Sequence, residues 1–108
     1  SINRIDEAIE QFEKAAKVGG SNGYYYHHLG IVEFHQKRYS NALKNFKKAV
    51  SRDGSLADSR YYIGEVYLKL GNEGKAIEAY RKTLEVNPNY LPARAKLDIL
   101  TSNLENDS

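Results

Sequence analysis

The 108-residue chain repeats itself with a period of 34 residues. Displaced by that period, Leu29-Gly30 falls on Ile63-Gly64, Ala42-Leu43 on Ala76-Ile77, Phe46 on Tyr80, Lys48 on Lys82 and Val50 on Leu84. Displaced the other way, Ala42-Leu43 falls on Ala8-Ile9, Phe46 on Phe12 and Ala49 on Ala15. A period of this length means stacked supersecondary units rather than one closed globule, because each unit buries its apolar face only against the next. Glycine and proline gather between the periodic stretches, at Gly19-Gly20-Ser21-Asn22-Gly23, Asp53-Gly54-Ser55 and Asn87-Pro88-Asn89, and mark connections.

Inside each unit the period is helical. Ala8, Ile9, Phe12, Ala15 and Ala16 recur at i, i+3, i+4 and i+7, and so do Ala42, Leu43, Phe46, Ala49 and Val50, and Ala76, Ile77, Tyr80 and Leu84. Strict alternation is absent. The spacing predicts helices over 3–18, 23–36, 40–52, 56–70, 74–86 and 90–104, antiparallel in sequence because the connections are short. Ser40 and Ser55 suit N-caps, and Asp58 three residues after Ser55 suits a capping box. Gly30 and Gly64 stand in mid-helix, where glycine costs about 1 kcal/mol against alanine. The expected reason is the close approach of another backbone, with Ala42 and Ala76 facing the glycines and Phe46 and Tyr80 filling the space between units.

These residues carry a resemblance. Ile63-Gly64, Tyr67, Gly71, Ala76, Tyr80 and Pro88 in one unit resemble the tetratricopeptide repeat, as do Tyr26, Leu29-Gly30, Tyr39, Ala42, Phe46 and Ala49 in the other. The resemblance implies an all-α, right-handed solenoid of antiparallel helix pairs with six helices. It divides the chain into the second half of a repeat at 1–22, complete repeats at 23–56 and 57–90, and a capping helix with its tail at 91–108. Arg60 and Arg94 depart from the pattern at positions where an aromatic is usual, and Glu33 at one where tyrosine is usual. Asp98 replaces the mid-helix glycine in the last helix, whose Leu97, Leu100 and Leu104 make a single apolar stripe, as a cap with a solvated outer face requires.

Catalytic chemistry finds no foothold. The absence of cysteine removes disulfides, thiolate metal sites and thiol nucleophiles. His27 and His28 diverge by about 100° around a helix, and His28 and His35 lie about 10 Å apart along it, so they are expected to be polar aromatics on a groove wall rather than metal ligands. Gly71-Asn72-Glu73-Gly74-Lys75 lacks the spacing and hydroxyl of a phosphate loop and reads as a turn. Carboxylates such as Glu10 and Glu13, or Glu73 and Glu78, sit among lysines on polar faces. No cofactor, catalytic or metal residue is expected. A net charge of +2 over 16 basic and 14 acidic side chains is a weak field and implies no nucleic-acid partner. Lys44, Lys47, Lys48 and Arg52, the densest basic run, read as a solubilising helix face. No apolar run approaches the ~18 residues of a membrane span. The chain opens without methionine or a visible targeting segment and reads as a piece of a longer protein, with no compartment assigned beyond the cytoplasm as default.

What remains is aromatic: nine tyrosines and three phenylalanines. The resemblance implies that the first helix of each pair lines a concave groove. On the first such helix the groove face holds Tyr24, His27, His28, Ile31, Phe34 and His35. On the second it holds Asp58, Tyr61, Tyr62, Glu65, Leu68 and Lys69, and Lys96 joins from the last helix. Tyr25, Tyr26 and Tyr67 are expected between units instead. Tyrosine suits recognition because it offers large contact area, few rotors and a polar tip. Some members of the family clamp a C-terminal carboxylate. The matching positions here are His27, Ile31, Tyr62, Pro92 and Lys96, and only Lys96 fits, so no carboxylate clamp is expected. The expected function is a non-catalytic protein-protein interaction scaffold whose tyrosine-rich groove takes an apolar or aromatic-bearing peptide or helix. The alternative is self-assembly, with Ile2, Ile5, Ile9 and Phe12 of the N-terminal half-repeat docking on another copy or on an upstream helix.

Overall fold

Helices follow one another with connections of only three to four residues. The computed structural model describes Glu7, Glu10, Gln11 and residues 23–106, with side chains through residue 102. Five helices lie within residues 23–106: α1 (Gly23–His35), α2 (Tyr39–Arg52), α3 (Ala57–Lys69), α4 (Glu73–Val86) and α5 (Leu91–Asn106). The expected count of six thus becomes five among the described residues. The helix expected over 3–18 falls mostly outside them, although Glu7, Glu10 and Gln11 are helical. The apolar face of Ile2, Ile5, Ile9 and Phe12, on which self-assembly was argued, lies outside them as well. Each helix packs chiefly on its neighbours in sequence, α1 on α2, α2 on α3, α3 on α4 and α4 on α5, as a one-dimensional stack requires.

The turns within the two pairs are the same device written twice. Lys37, at φ +64°, and Gly71, at φ +82°, are related by the repeat and both occupy the left-handed region. At the first turn Arg38 N–H donates to Glu33 C=O at 2.9 Å and Lys37 N–H to Phe34 C=O at 3.0 Å. At the second, Asn72 N–H donates to Tyr67 C=O at 2.8 Å and Gly71 N–H to Leu68 C=O at 3.0 Å. These paired bonds satisfy the last carbonyls of α1 and α3 and stop both helices. The expected caps are corrected. Ser40 lies inside α2, which begins after Arg38 with no side-chain cap. Ser55 precedes Leu56, the N-cap position of α3, and spends its hydroxyl and N–H on Asp53 Oδ1, at 2.6 and 3.0 Å. That turn-forming bond outcompetes the capping box. The side chain that caps is Asn72, which accepts from Lys75 N–H at 3.1 Å at the start of α4.

Two core clusters repeat with the units. Ala42, Phe46 and Val66 form one, and Ala76, Ile77, Tyr80, Ala93 and Leu100 the other. Phe46 and Tyr80 are each 0% exposed. A Cβ on Gly30 would lie 2.7, 2.8 and 3.0 Å from three ring carbons of Phe46, and one on Gly64 would lie 2.5, 2.8 and 2.9 Å from three of Tyr80. The mid-helix glycines therefore make room for an aromatic ring, not for a second backbone. Ala42 and Ala76 are fully buried. At the last helix Ala93 and Leu100 are buried and Leu97 is half-buried, while Asp98 is exposed. One face of α5 thus packs on α4.

Candidate functional site

On α3 the residues divide into two faces at 100° per residue. Arg60, Ile63 and Tyr67 point toward α2 and α4, and Asp58, Tyr61, Tyr62, Glu65 and Lys69 point the other way. The second face joins the corresponding face of α1 and one residue of α5. Its upper layer is open: Tyr24 is 58% exposed, and His28, His35, Asp58 and Lys69 are exposed as well. Its floor is half-buried and made of His27, Ile31, Phe34, Tyr61, Tyr62 and Glu65.

That floor is a continuous ladder of rings. Phe34 meets Tyr62 edge-on at 5.6 Å, and Tyr62 stacks on the core ring of Phe46 at 5.4 Å with planes 16° apart. Tyr62 touches Tyr61 at 5.6 Å, and Tyr61 touches Tyr80 at 5.6 Å and Tyr90 at 5.3 Å. The ladder runs from α1 across α3 to the start of α5. Tyr61 and Tyr62 are therefore parts of the packing as well as of the surface, which the sequence spacing alone did not separate. Tyr24 stands apart, stacked loosely on His28 at 6.4 Å.

Polar groups pin the ladder. Tyr80 O–H donates to Glu65 Oε1 at 2.6 Å, and Lys96 Nζ lies 3.5 Å from the same oxygen. Tyr90 O–H donates to Asp58 Oδ1. Burial first, and then the neighbouring Glu65 carboxylate, pushes the Tyr61 hydroxyl up to about 12. Burial and the hydrogen bonds to their carboxylates push Tyr80 and Tyr90 higher still, so these phenols stay protonated and donate at neutral pH. His27 Nδ1 is 2.7 Å from the fully buried Ser59 hydroxyl, and its ring lies 6.0 Å from Tyr62. Burial lowers the His27 pKa, His28 lowers it further and Asp58 opposes them. His27 is thus a neutral bridge between α1 and α3. His28 and His35 stay at the surface on either side.

At the amino-terminal ends of α1 and α3 the face opens into a cavity of about 210 Å³. Tyr24, His27, Asp58, Ser59 and Tyr90 line it, with Leu56 and Asn87 beside them. Tyr90 belonged to no expected site. It lies within the Asn87-Pro88-Asn89 connection's reach, where only the fold brings it onto Asp58. Ile31, Phe34, His35, Glu65, Lys69 and Lys96 lie farther along the same face and do not line this cavity. Glu33, expected only as a departure from pattern, is 8% exposed and accepts from Asn45 Nδ2 on the opposite side of α1. Burial raises its pKa against the pull of that bond, Arg38 and Lys48.

Comparison with known proteins gives this geometry its family. Family models described as tetratricopeptide repeat match residues 2–57 and residues 57–90. The chain belongs to the tetratricopeptide repeat family. It is 29% identical over 104 residues to the RNA polymerase-associated protein CTR9 of Caenorhabditis elegans, covering 95% of this chain and 9% of that protein. It is 33% identical over 69 residues to the photosystem I assembly protein Ycf3 of Synechococcus sp., covering 61% of this chain and 40% of that protein. The chain thus spans less than half the length of these relatives. Among solved structures, MamA superposes with a TM-score of 0.83 at 27% identity, over 96% of this chain and 61% of that one. The first tetratricopeptide domain of Spaghetti (RPAP3), bound to an HSP90 peptide, superposes with a TM-score of 0.84 at 22% identity, over 95% of this chain and 84% of that one. The all-helical solenoid is therefore the tetratricopeptide fold, the fold of a protein-protein interaction scaffold. Among the described residues no helix is long and apolar enough to cross a membrane.

Proposed function

We propose that this chain is a non-catalytic recognition module whose α1–α3 face receives an extended peptide or a helix bearing an apolar or aromatic side chain. One observation carries the reading: Tyr24, His27 and Asp58, three of the groove residues chosen from the sequence, converge with Tyr90 on one open cavity above a floor of interlocked rings. A fixed floor means that little side-chain entropy is lost when a partner lands, which favours binding by a pre-organised surface. Tyr24 supplies the mobile aromatic contact and His28, Asp58 and Lys69 supply a mixed-charge rim. Lys96 is already held by Glu65, and His27, Ile31, Tyr62 and Pro92 occupy the other clamp positions, which supports a partner recognised by side chains rather than by a terminal carboxylate. The unit boundaries at 22, 56 and 90 belong to the same reading.

The test uses peptides selected on the intact chain from a random displayed library. Tyr24→Ala should weaken the selected peptides by about tenfold or more, the loss of one interface aromatic, with no change in thermal unfolding. Tyr61→Ala is the poorer probe, because it also removes contacts to Tyr62, Tyr80 and Tyr90. Unchanged affinity in Tyr24→Ala would remove the groove assignment.

A further inference from the structure

The two repeats differ on the side of α3 away from the groove. In the first pair Asn45 of α2 donates to Glu33 of α1 and links those helices. The period places Ala79 where Asn45 stands and Tyr67 where Glu33 stands. Ala79 ends at its Cβ and lines a cavity of about 310 Å³ between α2, α3 and α4. Val50, Ile63, Tyr67 and Ala79 give it an apolar floor.

Its rim is basic. Lys47 Nζ lies 5.7 Å from the centre of the Tyr67 ring and Lys75 Nζ lies 5.6 Å from it, so two ammonium groups from different helices converge on one aromatic. Arg60 is fixed at the edge by donating Nε–H to Gly54 C=O at 3.1 Å. Lys82 pairs with Glu78 at 3.3 Å, the one ion pair in the rim among the described residues. Lys47 and Lys75 thus bring two positive charges from different helices to one cavity, and an anion placed there is attracted by both.

We propose that this cavity is a second recognition site, for an acidic peptide segment that inserts one apolar side chain against Val50, Ile63 and Tyr67 and sets a carboxylate between Lys47 and Lys75. The charge pattern selects a peptide over a nucleic acid. Glu78 interrupts the rim, so there is no unbroken basic track for a phosphate backbone. The site is independent of the groove, since Tyr67 and Arg60 point away from Tyr61, Glu65 and Lys69 around α3.

Fluorescence anisotropy at low salt tests it, with a labelled peptide of alternating Asp and Glu flanking a single Phe. The expected result is saturable binding that weakens about tenfold or more in the Lys47→Glu/Lys75→Glu variant. Replacing the peptide's Phe by Ser should weaken it comparably, and Lys69→Glu and Tyr24→Ala should leave it unchanged. Lys47 and Lys75 are exposed, so the charge reversal leaves the core intact. Ala79→Asn, which restores the residue of the first pair, should abolish the Phe-dependent part of the affinity. Four results would each overturn the proposal: no saturable binding at millimolar peptide, equal loss in Lys69→Glu, indifference to the Phe, or tighter binding of oligouridylate or phosphatidylserine vesicles than of the peptide.

Discussion

Gly64→Ala sets two known effects against each other, and the structure decides the sign. In an open helix the substitution stabilises by about 1 kcal/mol. Here the new Cβ would lie 2.5, 2.8 and 2.9 Å from three carbons of the Tyr80 ring. The ring has little freedom to yield: it is fully buried, it touches Tyr61, and its hydroxyl donates to Glu65 at 2.6 Å. Overpacking of this kind costs about 1–3 kcal/mol, and the rigidity of the site points to the upper end. The net expectation is a loss of about 2 kcal/mol, the 3 kcal/mol end of that cost less the propensity gain. For a chain of this size that lowers the melting temperature by about 5–15 °C. Urea unfolding followed by far-ultraviolet circular dichroism measures it. The decisive step is a double-mutant cycle. In a Tyr80→Leu background the ring is gone, the propensity gain alone remains, and Gly64→Ala becomes stabilising by about 1 kcal/mol. A Gly64→Ala protein more stable than its parent, or an undiminished loss in the Tyr80→Leu background, would refute the ring-on-glycine packing.

The paired turns give a matched experiment. A Cβ at Gly71 meets nothing within 4 Å, so Gly71→Ala should cost only the left-handed backbone, about 1 kcal/mol. Lys37→Gly at the equivalent position should gain about as much, and equal signs in chemical denaturation would contradict the shared turn geometry. Acid should act through His27. Burial lowers its pKa below the unfolded value of 6.5, so the folded protein takes up this proton at lower pH than the unfolded chain does. Its contribution is present above pH 6.5 and lost as the pH falls through the folded value. His27→Asn should flatten that part of the stability profile, and an unchanged slope would show that another group carries it.

The repeat itself was legible because stacking forces the same residue types to recur at the same places. Phe46 and Tyr80 are core for that reason, and the period pairs them without any knowledge of the third dimension. What sits on Gly30 and Gly64 was not legible, since a small residue signals close approach without saying whether a backbone or a ring approaches. Caps failed for a local reason. Ser55 has two donors, its N–H and its hydroxyl, within reach of Asp53 Oδ1, and composition cannot rank a turn against a cap. Asn72 lies in the segment that reads as a turn, and an Asn just before an apolar period is also an ordinary cap signal. The proposed groove came from the family resemblance, and helical spacing only placed its residues on one face of α1 and α3; spacing gives direction and not depth. It could not tell that Tyr61 and Tyr62 interlock with the core while Tyr24 stays free of the ladder. Tyr90 and the cavity beside Ala79 depend on contacts between units, and only the second was latent in the sequence, as the exchange of Asn45 for Ala79 across the repeat.

The central claim is that the α1–α3 face is where partners land. Amide chemical-shift mapping of the isotopically labelled chain with a library-selected peptide tests it most directly. The expected shifts cluster at Tyr24, His28, Asp58, Glu65 and Tyr90, with little change along α2 and α4. Shifts confined to α2 and α4, with the α1–α3 face silent, would contradict it.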